Sequence, residues 1–267
     1  MNKIAAVLTD INQAYDIKNY VDAYLLPLKD LSINYTNFFD IEDVIKLKEL
    51  NKEIFIILNK NIQNDEIDKL KQALEQIEKL NINGIIFYDI SLVNLKNKLN
   101  LKIPLVWSQE HLVTNYGTVN YWNKKGVKYA YISSELTKRE IEEIRKNTSS
   151  KLFVNVFGYI PMFTSKRHLV DNYVETFNLK NNKQNTIFKE GKSYHILDTN
   201  LGTTVYCDYI LNAVCEDFEN IDYLVFNSNL IDEKDFCEVL ENYNKNVHNK
   251  FKIETGFLYQ ETIYKVK

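Results

Sequence analysis

The chain has 267 residues, with 33 Lys+Arg against 36 Asp+Glu and only 7 glycines, where glycine usage of about 7% is ordinary. Its formal charge of -3 supplies no overall basic field to recruit nucleic acid or an anionic membrane. The glycine scarcity excludes the two common phosphate loops: no G-x-G-x-x-G occurs, and Gly191-Lys192-Ser193 has Thr186 where a Walker loop needs its first glycine.

The opening MNKIAAVLTD lacks the charged and apolar regions of a signal peptide, and no apolar run reaches membrane length, so a soluble cytoplasmic protein is expected. Residues 3–8 read as a first strand, 21–26 as a second, 53–58 as a third and 84–88 as a fourth. Residues 103–107, 127–132 and 151–156 continue the series, and 223–227 form an eighth strand. Between strands, residues 65–80 place Ile67, Leu70, Leu74 and Ile77 at helical spacing. Residues 135–146 pair Ile141 with Ile144 behind a Thr137 N-cap and a Glu140 box partner, and a last helix is expected over 235–243. Residues 192–214 alternate on both sides of Asn200-Leu201-Gly202, which predicts a β-hairpin inserted between strands seven and eight. Repeated strand-helix alternation without a linker predicts a single domain over 1–267, a TIM-type (β/α)8 barrel carrying that hairpin.

Such a barrel works at the carboxyl ends of its strands. Those positions hold Asp10, Lys29, Asn59, Asp89, Gln109, Glu110, His111, Ser133 and Glu135. Asp10 and Asp89 read as N-caps of the helices that follow them. Glu135 suits either the first turn of a helix, where the dipole favours an acid, or a site role. The segment 158–173 reads as the longest loop, with Ser165, Lys166, Arg167 and His168 in succession. Arg167 is the residue suited to bidentate binding of a carboxylate or phosphate. Tyr116, Tyr121, Trp122 and Tyr159 near the mouth suit either stacking on a base or aromatic ring or, as is commoner for aromatic stripes, packing in the core, and His195 and His248 read as surface residues. No histidine spacing indicates a metal, and no nucleophile-base pair follows a known elbow. Cys207, Cys215 and Cys237 are odd in number, lack C-x-x-C spacing and read as reduced thiols.

Residues 114–122 (TNYGTVNYW) with Gly126-Val127, residues 132–137 (ISSELT) with Glu140-Ile141, and Val156-Phe157-Gly158 through Ser165-Lys166-Arg167 resemble the peptidase U32 family, catalogued as collagenase-like. Thr255-Gly256-Phe257-Leu258-Tyr259 into Thr262-Ile263-Tyr264 is similar to the end of its short members, so the resemblance spans nearly the whole chain. Where the family signature carries a glutamate, a histidine and two cysteines, this chain has Phe153, Phe157, Pro161 and His168, so an iron–sulfur cluster bound by this chain is not expected. The resemblance implies a part in oxygen-independent RNA hydroxylation, such as formation of 5-hydroxyuridine at the tRNA wobble position, with prephenate as a source of the hydroxyl. The alternatives it leaves are a collagenase-like peptidase, the reading least supported because neither a nucleophile with its base nor a metal-activated water is found, and a noncatalytic partner subunit of a longer, cysteine-bearing U32 paralogue. On the hydroxylation reading Glu135 is the acid/base or hydrogen-bonding group and Arg167 holds an anion, while Asn115, Ser165, Gln109, Tyr159 and Asn59 bind substrate. The expected partners are tRNA or a small anionic ligand, without a membrane.

Overall fold

The computed structural model describes residues 2–179 and 186–260. Its strands are β1 (Lys3–Val7), β2 (Ala23–Pro27), β3 (Glu53–Leu58), β4 (Gly84–Phe87), β5 (Leu105–Trp107), β6 (Tyr129–Tyr131), β7 (Lys151–Ser165), β8 (Thr186–Lys189), β9 (Lys192–Thr199), β10 (Gly202–Asn212) and β11 (Tyr223–Asn227). Strands β1 to β7 pair in parallel in sequence order, and β11 lies between β1 and β7, parallel to both. That pairing closes an eight-stranded parallel barrel, and helices cover its outside, as predicted. All eight predicted barrel strands are present, with ends moved by one or two residues except in β7, which runs well past its predicted end.

Burial on both faces explains why these strands are apolar without alternation. Inward residues such as Ala5, Leu25, Phe55, Ile86, Val106 and Val225 form one cluster inside the barrel. Their outward neighbours join a larger core shared with the helices. The helix Ile67–Leu80 turns Leu70, Leu74 and Ile77 onto that core. The helix Lys138–Lys146 starts after the predicted Thr137 cap and Glu140 box, later than residue 135.

Aromatic rings plug the amino-terminal end of the barrel. Phe153 and Tyr223 stack with ring centres 4.1 Å apart and planes 6° apart. Phe55 meets both rings edge-on, at 5.2 and 5.5 Å. The Tyr223 hydroxyl donates to Glu53 Oε2 at 2.8 Å, so its polar tip is paired.

The segment 158–173 is not the loop that its composition suggests: β7 runs on to Ser165, and a helix spans Leu169–Thr176. This overrun pairs antiparallel with β10, β10 pairs with β9, and β9 pairs with β8, a strand that the sequence pattern did not reveal. The predicted hairpin exists, but as part of a four-stranded arm that strand seven itself anchors. Gly158 lets β7 leave the barrel: its φ is +118°, and an added Cβ would lie 2.5 Å from the Asn227 carbonyl oxygen. After β11 comes a helix over Glu233–Asn244, and Glu254 then bridges to Asn212. Of the closing motif, Thr262, Ile263 and Tyr264 lie outside the described residues. Among those described, no helix is long and apolar enough to cross a membrane.

Replacing Gly158 by alanine forces a side chain into left-handed backbone and against Asn227. Urea denaturation should show a loss of about 2–3 kcal/mol; an unchanged midpoint would show that the β7 exit does not depend on this glycine.

Candidate functional site

With one end plugged, the cavity of the barrel opens at the carboxyl ends of the strands. It measures about 100 Å³. Asn34 and Tyr35 enter from the segment after β2, Asn59 from the end of β3, Glu110 and His111 from the end of β5, and Glu135 from the end of β6. Tyr131, Asn155 and Asn227 point up from strands β6, β7 and β11, while Tyr159 and Tyr206 come from the arm. A wider vestibule of about 510 Å³ adjoins it and shares Asn34, Asn59, Glu110 and His111.

The walls are held by satisfied polar groups. Tyr131 donates its hydroxyl to Asn155 Oδ1 at 2.5 Å, and Asn155 Nδ2 donates to Ser134 Oγ at 2.8 Å. The Asn34 carbonyl accepts from Tyr206 at 2.7 Å and from Asn229 Nδ2 at 3.1 Å, and its side-chain oxygen accepts from Thr204 at 2.6 Å. These bonds pin the segment after β2 to the arm and to the end of β11. Such a network costs little only because its members are paired. Tyr159 stands 3.0 Å from His195 Nε2, so His195 supports the mouth rather than lying apart from it.

His111 Nδ1 lies 3.1 Å from Glu135 Oε1, with both side chains about half exposed. Screening makes that pair weak in energy but leaves it able to pass a proton. Glu110 is more deeply set. Burial pushes its carboxyl above the ordinary range, the Glu135 charge adds to this, and His111 opposes it. Burial likewise raises the hydroxyls of Tyr35, Tyr131 and Tyr206, which therefore remain neutral donors.

Of the seven residues assigned catalytic or binding roles, Asn59, Tyr159 and Glu135 meet at this cavity, together with Glu110, His111 and Ser133 from the other strand ends. Four do not line it. Asn115 caps the helix Tyr116–Lys124 by accepting from Thr118 N at 2.9 Å. Gln109 ties neighbouring strands together, donating to the Tyr88 carbonyl at 2.7 Å and accepting from Trp107 Nε1 at 3.0 Å. Ser165 and Arg167 sit at the outer end of the arm, where Ser165 Oγ accepts from Arg167 N at 3.1 Å and the guanidinium is exposed. Convergence of Glu135, Arg167 and Asn115 on one pocket does not occur: the overrun of β7 lies against the segments after β2 and β3, with Thr164 donating to Asn34 at 3.0 Å and Lys166 to the Asn61 carbonyl, and it leaves Arg167 exposed beyond its end. Asp10 and Asp89 act as caps, accepting from Asn12 N at 2.7 Å and Ser91 N at 2.8 Å. Tyr131 and Asn155 escaped the sequence reading, although a tyrosine and an amide on inward positions of barrel strands are the signal that marks them.

No cysteine lines the cavity among the described residues, and the three lie on β10, in the β10–β11 connection and on the last helix, so they do not fit a shared cluster. On the arm, His168 Nδ1 stands 3.4 Å from Asp198 Oδ1 with Asp171 beside them, a group whose size would admit a cation. Asp198 Oδ2 already caps Val170 N at 3.2 Å. Cys215 Sγ lies 3.5 Å from His248 Nδ1, a pairing invisible to sequence spacing. It borders a groove near the strands' amino-terminal ends, opposite the mouth.

The fold and site define an α/β barrel with two carboxylates, an imidazole and neutral phenols at its mouth. The profile of peptidase family U32 matches residues 14–224, and the chain belongs to this family. It is 25% identical to "tRNA hydroxylation protein P2" of Bacillus subtilis (strain 168), across 91% of this chain and 92% of that protein. It is also 25% identical to "tRNA hydroxylation protein P" of Escherichia coli (strain K12), but over 47% of this chain and 28% of that longer protein. Among solved structures, the U32 peptidase Mk0906 shares the fold, with a TM-score of 0.58 and 12% identity over 85% of this chain and 92% of that one.

The raised Glu110 carboxyl means that the folded chain keeps a proton which the unfolded chain releases above about pH 4.3. Stability supplied by the neutral form is therefore present at low pH and lost as pH rises through the folded value. Glu110→Gln, which mimics the neutral form, should raise Tm at pH 8 and leave it unchanged near pH 4; the same gain at both would separate the effect from this proton.

Proposed function

We propose that this chain takes part in oxygen-independent hydroxylation of tRNA at a uridine base. The observation that carries the reading is the end-to-end likeness to tRNA hydroxylation protein P2, which covers 92% of that protein. The mouth suits the chemistry, since modifying a ring carbon requires protons to be delivered and removed at a bound base. Glu110 offers a carboxyl whose hold on a proton is strengthened by burial, and His111 with Glu135 offers a relay to solvent. An anionic hydroxyl donor such as prephenate would be the co-substrate. The longer relatives, of which this chain matches 28% in the Escherichia coli case, make a cluster-bearing U32 partner the natural companion of a chain whose cysteines stand apart from the mouth. A peptidase reading has Cys215 and His248 in its favour, but that pair lies opposite the cavity.

The test is the content of 5-hydroxyuridine in tRNA from a strain lacking this gene and any redundant paralogue. The modification should disappear and return with the wild-type gene. Glu110→Gln should lower the initial rate of its return by about 100-fold, whereas Arg167→Ala should restore it fully. Unchanged hydroxyuridine in the deletion strain would overturn the reading.

A further inference from the structure

The cationic side chains at the mouth are confined to its outer part. The inner cavity is lined by Glu110 and Glu135, and among the described residues no lysine or arginine reaches it. The sole group there able to turn cationic is His111, which is already engaged by Glu135 at 3.1 Å. An anion entering this space would leave water for two carboxyl groups with no lysine or arginine to offset the loss, so its desolvation is uncompensated. The remaining polar groups suit a neutral ring with carbonyl and N–H edges. Asn34 and Asn227 use their side-chain carbonyls to accept from Thr204 and from Asn229 N, which leaves their amide groups to donate. Tyr35 adds a hydroxyl, Glu110 can accept, and Ile57 with Ile86 provide apolar surface. Hydrogen-bonding edges and flat apolar walls are how a base taken out of its stack is held.

The vestibule is different. Besides Glu110, which it shares with the inner cavity, it is lined by Glu66, Lys60 and Lys166. Lys60 is bound to Glu66, whereas Lys166 is exposed and gives one hydrogen bond, to the Asn61 carbonyl at 3.0 Å. Its ammonium therefore keeps donors for an incoming anion.

We infer that the mouth is divided into an inner subsite that accepts only a neutral heterocyclic ring and an outer subsite at Lys166 that takes an anionic group, either the phosphate next to the bound base or the carboxylate of a separate acid. This rests on the hydroxylation reading for its biological meaning, but the binding chemistry follows from the lining alone. The division accounts for the absence of any need for Arg167 at the cavity.

Titration calorimetry on the full chain at low salt tests it with three probes: uridine, uridine 5′-monophosphate and isophthalate, a planar ring bearing two carboxylates. Uridine should bind, should weaken at least tenfold in Tyr35→Phe and in Asn227→Asp, and should be unaffected by Lys166→Ala. Asn227→Asp retains the oxygen that accepts from Asn229 N, and thermal unfolding of each variant reports whether the fold persists. If the anion is the neighbouring phosphate, the monophosphate binds at least tenfold tighter than uridine and Lys166→Ala removes the gain. If it belongs to a separate acid, isophthalate binds through Lys166 without displacing uridine. Either result supports the division. Displacement of uridine by isophthalate independently of Lys166, or no uridine binding at all, would overturn it. Because binding is read without turnover, normal tRNA hydroxylation in the deletion strain would end the functional reading and leave this result standing.

Discussion

The stacked pair of Phe153 and Tyr223, with Phe55 set edge-on against both, decides what the rest of this barrel can be. Three rings fill the space that eight strands enclose at their amino-terminal end. Each such pair adds about 0.5–1.5 kcal/mol beyond the area it buries, but its larger effect is geometric. A barrel plugged at one end has a single mouth. Above the rings the interior holds the aliphatic residues Ile57, Ile86 and Val225, with Asn155 level with Val225, and Asn59 and Asn227 stand one layer higher. The change from apolar to polar along the axis sets the depth at which a ligand stops.

The packing of Phe55 shows how closely this depends on sequence. An added Cβ at Gly84 would lie 3.1 Å from the Phe55 ring, so the neighbouring strand yields room for the plug. At the other end, Gly158 allows β7 to pass Asn227 and continue outward. One glycine thus serves the closed end, and another builds the arm that walls the open one. Of the chain's 7 glycines, Gly158 and Gly202 sit where an added Cβ would lie within 3.0 Å of backbone atoms, so their placement is a structural requirement.

Much of the barrel is legible from local pattern. Strand runs, the Thr137 cap and the face of the helix Ile67–Leu80 depend on residues close together in the chain, and they appear where they were expected. Site residues were harder, for a physical reason. A polar residue at a strand end can face the axis, cap a helix or bridge strands, and only the direction of its side chain separates these. Asn59 and Glu135 face the cavity, Asn115 caps, and Gln109 bridges. Arg167 carried the strongest chemical signal in the sequence, yet it rides at the end of a strand that composition presents as a loop. Proline at 161 and the glycine at 158 hide β7's overrun, because strand propensity alone does not record that β10 is there to pair with it.

By itself the sequence determined the alternation of strand and helix, the apolar strands buried on both faces, and the absence of the common glycine-rich phosphate loops. These follow from short-range preferences and from the periodicity of burial. Tertiary structure decided which acids meet. Glu110 and His111 arrive from one strand end and Glu135 from the next, and their coupling depends on barrel closure, which local sequence cannot express. Closure also decided that Cys215 meets His248 across 33 residues on the far side, and that Arg167 stands clear of the cavity. Direction and distance across the barrel axis arise only once β11 has joined β1 to β7.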